Sequence, residues 1–484
     1  MTLSSKIRER LERIEKEAIP PHLRAREEET EPASAPESRT FSLRARAEKS
    51  LPPLKLPVLS DRELEYKEQI HRRLLEAMDL SLLASLEPAQ ARGQIREAAL
   101  RICEEISSPL TAEAKEKVVH RIEDEILGLG ALEPLLAEPS VSDILVNGCR
   151  RVYVERFGRL ELTPIRFANN EALMKIIDRI VSSVGRRVDE SSPMVDARLK
   201  DGSRVNAVIP PLAIDGPVLS IRRFIRDRMS LDDLVVRKAM SKAMAQFLKL
   251  VVRARLNVLI SGGTGTGKTT ILNALSQFIP HNERIITIED AAELQLKQDH
   301  VVRLETRPPN IEGKGEVTQR DLVKNALRMR PDRIVLGEVR GEEAFDMLQA
   351  MNTGHDGSLT TVHANTPRDA LARIENMVSM TGFDLPVRAV RAQIASAIHV
   401  ILQLERMEDG RRRIVSIAEI AGLEGEVITM SEIFRYERKG LDEDGNVLGE
   451  HRATGIVPRF NERFVKRGYE TDLRWYDPDF RDES

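Results

Sequence analysis

Cysteine, aromatic residues and long apolar runs are what this chain has least of. Its 484 residues include two cysteines, Cys103 and Cys149, in no CxxC pair, which excludes a disulfide framework and leaves a zinc site unsupported. No apolar stretch approaches the roughly 20 residues of a membrane-spanning helix, and Met1–Arg10 is charged rather than signal-like. A reducing cytosol is the expected setting. Charge of one sign is missing too: 74 Lys and Arg face 77 Asp and Glu, a formal net charge of -3. That balance provides no overall attraction to nucleic acid or to an anionic membrane. What remains, 41% apolar and 31% charged residues, suits about three domains with real cores.

The most informative stretch is Gly262-Gly263-Thr264-Gly265-Thr266-Gly267-Lys268-Thr269-Thr270. An apolar run, Leu256 to Ile260, precedes it, and a helical pattern from Ile271 follows. Strand, glycine loop and helix together make GxxxxGK[ST] a phosphate site. The glycines let backbone N–H groups converge, and the helix beginning near Lys268 adds the positive end of its dipole. Lys268 is expected at the β- and γ-phosphates of a nucleotide and the Thr269 hydroxyl on Mg²⁺.

Composition divides the rest. Residues 4–19 read as a weak amphipathic helix, with seven prolines and Glu27-Glu28-Glu29 in the segment behind it, so 1–59 is expected to be a charged helix and flexible linker. Residues 60–127 carry three amphipathic helices, the first capped by Ser60 and Glu63, the second from about Gln94, the third behind Thr111. They predict a small bundle. In 128–228 the period changes to strands around turns at Asn147-Gly148, Phe157-Gly158 and Asp201-Gly202, with one helix from Glu171. This α+β segment concentrates Arg198, Arg204, Arg222 and Arg223. Residues 229–238 read as an interdomain linker. From 239 to 456 helix and strand patterns alternate, which indicates a parallel sheet with helices on both faces. The end, 457–484, gathers Phe460, Phe464, Tyr469, Trp475, Tyr476 and Phe480, far above the 4% aromatic average, and reads as a packed tail.

Three later strands of the alternating region end in chemically useful residues: Arg284–Ile288 at Glu289, Arg333–Leu336 at Gly337-Glu338, and Ser358–Val362 at His363. Ligands of open α/β sheets bind beyond the carboxyl ends of strands. Lys268, Glu289, Glu338 and His363 are therefore expected to converge on one nucleotide. Phosphoryl transfer to water needs positioning and charge stabilisation. Glu338 stands where a Walker B acid belongs, as base or as holder of the Mg²⁺ water shell. Glu289 is the second candidate carboxylate, and His363 a candidate γ-phosphate sensor. The positive charge still required is assigned to Arg198, Arg204, Arg222 or Arg223, from the same subunit or the next.

Four motifs, Gly262–Thr270, IITIEDAAE at 285–293, LRMRPDRIVLGEVR at 327–340 and GHDGSLTTVHAN at 354–365, resemble the Walker A, Asp, Walker B and His boxes of the type II/type IV secretion ATPases. The resemblance covers roughly residues 100–470. MVDARLKDGSRVNAVIPP and SIRRF look like that family's amino-terminal domain, whose arginines reach the phosphates. The resemblance implies an α/β protein: a RecA-like P-loop ATPase core behind a smaller, PAS-like α+β domain and a helical bundle. It also implies ATP and Mg²⁺ as ligands, a homohexamer, and docking beneath platform proteins at the inner face of a bacterial inner membrane. The helical segment and ATGIVPRFNERFVKRG look most like the CpaF-type motor of tight-adherence (Tad, type IVc) pili, and the tetracysteine insertion of type II and type IVa extension motors is absent.

The reading is thus an ATP-hydrolysing hexameric motor for Tad pilus assembly, with retraction a further capacity. The alternative is an effector- or DNA-translocating ATPase of a type IV secretion system, or a RecA-like nucleic-acid motor. The latter would require a basic, aromatic-bearing groove, and no such stripe is visible. A nucleotide-gated scaffold that binds without hydrolysing is disfavoured by the complete lysine and carboxylate set.

Overall fold

The computed structural model describes residues 54, 56, 59–78, 86–106, 109–199, 201–224, 229–309 and 313–480. The expected helix at 4–19 lies outside them, as does nearly all of the expected linker. Where that linker's last residues are described, they are packed: Leu54 and Leu56 lie against the core of the amino-terminal sheet, and Leu59 is buried in the helical bundle.

The bundle is built from α1 (Asp61–Ala77), α2 (Pro88–Glu105) and α3 (Ala112–Leu127). Ser60 and Glu63 close a capping box on α1, and Thr111 accepts from Ala114 N–H at the start of α3. α2 begins at Pro88, earlier than the sequence pattern placed it, because proline is suited to a first helical turn. Ile70, Leu74, Ile95, Ala99, Val118 and Ile122 form the core, spaced at three or four along each helix.

The second unit is an antiparallel sheet of β1 (Val141–Asn147), β2 (Arg151–Arg156), β3 (Arg159–Leu162), β4 (Met194–Arg198), β5 (Arg204–Val208) and β6 (Val218–Arg222), in the order β3-β2-β1-β6-β5-β4. One helix, α4 (Asn170–Ser183), buries Leu173, Ile176, Ile177, Ile180 and Val181 against the apolar face. The opposite face carries alternate residues, Asp196, Arg198, Arg204, Asn206 and Arg222 among them. Period-two alternation thus sorts the arginines onto one side of the sheet.

The ATPase core is a nine-stranded sheet. Its strands are β7 (Val258–Gly262), β8 (Ile285–Glu289), β9 (Val301–Glu305), β10 (Arg333–Leu336), β11 (Leu359–Val362), β12 (Val400–Arg406), β13 (Arg412–Glu424), β14 (Val427–Leu441) and β15 (Val447–Ala453). The order is β15-β14-β13-β12-β7-β11-β10-β8-β9. β12 to β9 in that order pair in parallel, and β13 to β15 extend the sheet as antiparallel ribbons. β7, β8, β10 and β11 are buried throughout, as parallel strands covered on both faces must be. Val258 and Ile260 point to one core and Leu259 to the other.

Two parts of the core depart from expectation or complete it. Residues 229–238, expected as an interdomain linker, carry a short helix, Leu231–Val236, with a Ser230–Asp233 capping box, and Leu231 and Leu234 are buried in the ATPase core. At the other end Phe460, Phe464 and Tyr476 surround Phe247 of the helix α5 (Lys242–Arg253), with ring centroids 6.1, 6.2 and 6.1 Å away. The aromatic residues of the carboxyl end thus complete the core beneath β7.

Candidate active site

Parallel register brings four strand ends to one rim. Ser261 of β7 pairs with Val362 of β11, Thr360 of β11 with Leu336 of β10, and Leu336 with Ile288 of β8. The residues that follow, the P-loop, His363, Glu338 and Glu289, therefore emerge side by side. Gly265 and Gly267 adopt left-handed φ of 71° and 96°, which turns the loop into the helix α6 (Lys268–Ser276). A side chain at either position would be strained.

Lys268 Nζ donates to the carbonyls of Gly262 and Gly263, both at 3.0 Å, and lies 3.4 Å from each ring nitrogen of His363. His363 Nε2 is 2.8 Å from Glu338 Oε1, and Arg340 donates to Glu338 Oε2 at 2.7 Å. Arg340 also reaches Asp290, at 3.1 Å. Burial lowers the pKa of Lys268, opposed by the charge of Glu338. Burial, together with the charge of Lys268, likewise lowers the pKa of His363, so the imidazole stays neutral at neutral pH. Lysine, imidazole, carboxylate and guanidinium stand in succession across the rim, with Glu338 Oε1 buried and without a hydrogen-bond partner. Such a succession can register charge arriving at either end.

Glu289 is different. It is 4% exposed, and its Oε2 accepts from the N–H groups of Glu293 and Leu294 at 2.7 and 2.8 Å, while Oε1 is buried with no hydrogen-bond partner. The two N–H groups favour the carboxylate, but burial outweighs them and raises the pKa to about 7. Gly337 is what allows this packing, because a Cβ there would lie 2.9 Å from Glu289 Cγ. An unfolded glutamate titrates near 4.5, so between there and about 7 the folded chain holds a proton that the unfolded chain has lost. This residue's contribution to stability is accordingly present at low pH and falls as pH rises through that window. Denaturant unfolding of wild type and Glu289→Gln at pH 5 and pH 8 checks this. The variant is expected to lose part of the decline, and identical slopes would refute the assignment.

The structure does not bring the four predicted arginines to the P-loop. Arg198 pairs with Glu305 and donates to the Ala292 carbonyl at 2.7 Å, and Arg204 meets Glu293 at 3.2 Å. Arg222 is bound to Asp143 at 3.1 Å. These three line a cavity of about 1070 Å³ whose far wall includes Asp290 and Arg340. Arg223 instead donates to the carbonyls of Glu138 and Val141 inside its own domain. Two guanidinium groups that sequence reasoning missed, Arg406 and Arg412, lie beside the P-loop. They flank the β12–β13 turn, and a Cβ built on Gly265 or Gly267 would lie 3.8 Å from Arg406 Nη1 or 3.4 Å from Arg412 Cδ. Their one sequence signal was the pair of arginine-bearing arms around Asp409-Gly410.

The type II/IV secretion system protein family matches residues 125–444, a span holding the amino-terminal sheet, the ATPase sheet up to β14 and every residue of this rim. The chain belongs to that family. This secretion protein is accordingly an ATP-hydrolysing P-loop enzyme with a RecA-like core. A putative conjugal transfer protein of Mycobacterium tuberculosis strain H37Rv is 41% identical to it over 333 residues, 68% of this chain and 94% of that one. The type IV secretion system protein VirB11 of Bartonella henselae is 33% identical over 346 residues, 62% and 95% of the two chains. The solved VirB11 ATPase of Brucella suis is 28% identical with a TM-score of 0.34, covering 60% of this chain and 96% of that one. Among the described residues, no helix of the secretion ATPase is long and apolar enough to cross a membrane.

Proposed function

We propose that this chain is the ring-forming motor of a type IV secretion machine, converting ATP hydrolysis into movement of its amino-terminal sheet. The observation that carries the proposal is the pairing of Arg198 and Arg204 with the segment 292–305 that follows Glu289. A change in charge at Glu289 acts on Glu293 and Leu294, and so on the segment that those two arginines grip. Chemistry and domain position then share one element.

Lys268, Glu338, Glu289 and His363 do the chemistry in this reading, with the backbone of residues 262–270 cradling the phosphates. Glu338 takes the proton of the attacking water, and Glu289, protonated near neutrality, sets the strand-end geometry beside it. The hydroxyl of Thr269 and the carboxylate of Glu338 are hard oxygen donors that suit Mg²⁺, directly or through water. When bound, the ion supplies charge neutralisation at the phosphates. Arg198, Arg204 and Arg222 reach a nucleotide after domain closure, or across a subunit boundary of a homohexamer.

The kinship with conjugal transfer and VirB11 proteins supports export of DNA or protein effectors as the role of the motor. The second reading, Tad pilus assembly, rests on residues outside the family span: the bundle of α1 to α3, all but its last turn, and the ATGIVPRFNERFVKRG stretch at 453–468. Either role places the motor at the inner face of an inner membrane, against platform proteins.

Phosphate release and particle mass, measured together with ATP and Mg²⁺, test the motor. Hexamers that turn over ATP are the expected result, and monomers without turnover would remove the ring motor. In the source bacterium, deletion that stops macromolecular export but leaves surface pili favours the export role. Loss of pili alone transfers the assignment to pilus assembly.

A further inference from the structure

The residues of the rim all lie to one side of the P-loop. β11, β10 and β8, which carry His363, Glu338 and Glu289, follow β7 in one direction across the sheet. They mark where the terminal phosphate is handled. The strand on the other side of β7 is β12, with Leu404 in register with Gly262. A nucleotide whose γ-phosphate faces Glu338 must direct its α-phosphate, sugar and base away from that group, towards the flank that β12 occupies.

β12 extends past the end of β7, and Arg406, two residues beyond Leu404, stands opposite Arg412 of β13. Directly opposed residues of an antiparallel pair project to the same side. Here that side is the P-loop turn, at the Gly265 and Gly267 distances given above. Both arginines are exposed, and among the described residues neither is in an ion pair. Glu155 is the carboxylate whose field reaches Arg412, against which the charge of Arg406 acts. Two guanidinium groups facing one another with no carboxylate paired to either repel, and an anion between them removes that repulsion. Arginine also suits both parts of such a ligand, offering a planar fork to phosphate oxygens and a flat face to a purine.

Arg406 donates to the carbonyl of Gly158 at 2.7 Å. Gly158, with Phe157, forms the left-handed turn between β2 and β3 at the edge of the amino-terminal sheet. A single guanidinium therefore touches the rim of the P-loop and the other domain.

We propose that Arg406 and Arg412 hold the α-phosphate and nucleoside half of ATP, and that Arg406 reports occupancy to the amino-terminal sheet through Gly158. The proposal rests on the ATPase reading above and assigns the part of that site which the catalytic rim leaves open. It also gives the two domains a link on the P-loop side, separate from the Arg198 and Arg204 grip.

Calorimetric titration with ADP and with inorganic phosphate separates the halves. Arg412→Ala and Arg406→Ala are each expected to weaken ADP about 10-fold, about 1.4 kcal/mol, and to leave inorganic phosphate, which takes the P-loop position alone, nearly unchanged. Lys268→Ala loses both ligands. Arg412→Lys is expected to fall between wild type and Arg412→Ala, since it keeps the charge but not the fork. Hydrogen exchange at residues 156–160 should respond to ADP in the wild type and not in Arg406→Ala. ADP affinity equal to wild type in the double variant overturns the proposal. So does an equal loss of ADP and inorganic phosphate, which would mean a displaced P-loop, and so does an exchange pattern at 156–160 that ignores ADP in the wild type. Failure of the wild type to bind either ligand would instead bring down the ATPase reading itself.

Discussion

Glu338→Gln is expected to reduce ATP turnover by about 10²–10⁴-fold, the range for loss of a positioned general base, while ATP still binds. Glu338 follows the buried strand β10; Arg340 holds one of its oxygens at 2.7 Å, and His363 Nε2 lies 2.8 Å from the other, which is buried without a hydrogen-bond partner. It faces Lys268 through the imidazole, so it adjoins the P-loop without being part of it. Glutamine keeps the length of the side chain and its hydrogen bonding to Arg340, but cannot take a proton from water. The phosphate-binding groups, Lys268 and the loop backbone, are untouched, which is why binding should survive or tighten. Single-turnover hydrolysis and equilibrium ATP binding, measured on the same preparation, separate the two effects. Wild-type turnover in the variant would move the base assignment to Glu289. Glu289→Gln would then have to abolish hydrolysis, a demand its buried, self-bonded carboxyl makes hard to meet.

The P-loop and the strand-end acids were legible because each is local: an apolar run, a fixed spacing and a polar terminus follow one another closely in the chain. Arg406 and Arg412 were not. Their place beside Gly265 and Gly267 depends on β12 pairing with β7, strands separated by most of the ATPase core. No periodicity in the hairpin announces which strand it will join. Arg198, Arg204, Arg222 and Arg223 show the converse. Their clustering was plain, and alternation puts Arg198, Arg204 and Arg222 on one face. Which partner that face meets is a tertiary fact, and here the partners of Arg198 and Arg204 are Glu305 and Glu293. The missed helix at Leu231–Val236 belongs to a different class. Ser230 and Asp233 spell an N-terminal cap in the sequence, but a helix this short holds its form only because Leu231 and Leu234 find a core.

Arg333→Met is expected to produce the largest loss of stability, about 3–5 kcal/mol, the cost of breaking a buried ion pair from one side. Arg333 is fully buried at the start of β10, the end of the sheet away from the P-loop. Its guanidinium donates to Glu283 at 2.5 and 3.3 Å, to the Val252 carbonyl at 2.7 Å and to that of Gly357 at 3.3 Å. It thereby joins the end of α5, the approach to β8, the start of β10 and the turn before β11. Burial depresses the arginine's pKa, so the site already bears a desolvation cost that the four contacts offset. Methionine removes every donor. Glu283 would then remain 6% exposed with Arg255 alone, at 3.2 Å, to answer its charge. Removing both charges should be milder than removing one, so Arg333→Met/Glu283→Leu is expected to recover much of the loss. Thermal and denaturant unfolding of the three proteins check the order. Because the pair lies far from Glu338, hydrolysis per folded molecule below the transition should stay at the wild-type rate. A single variant as stable as the wild type, or a double variant worse than the single, would show that these strands are pinned by packing and not by this arginine.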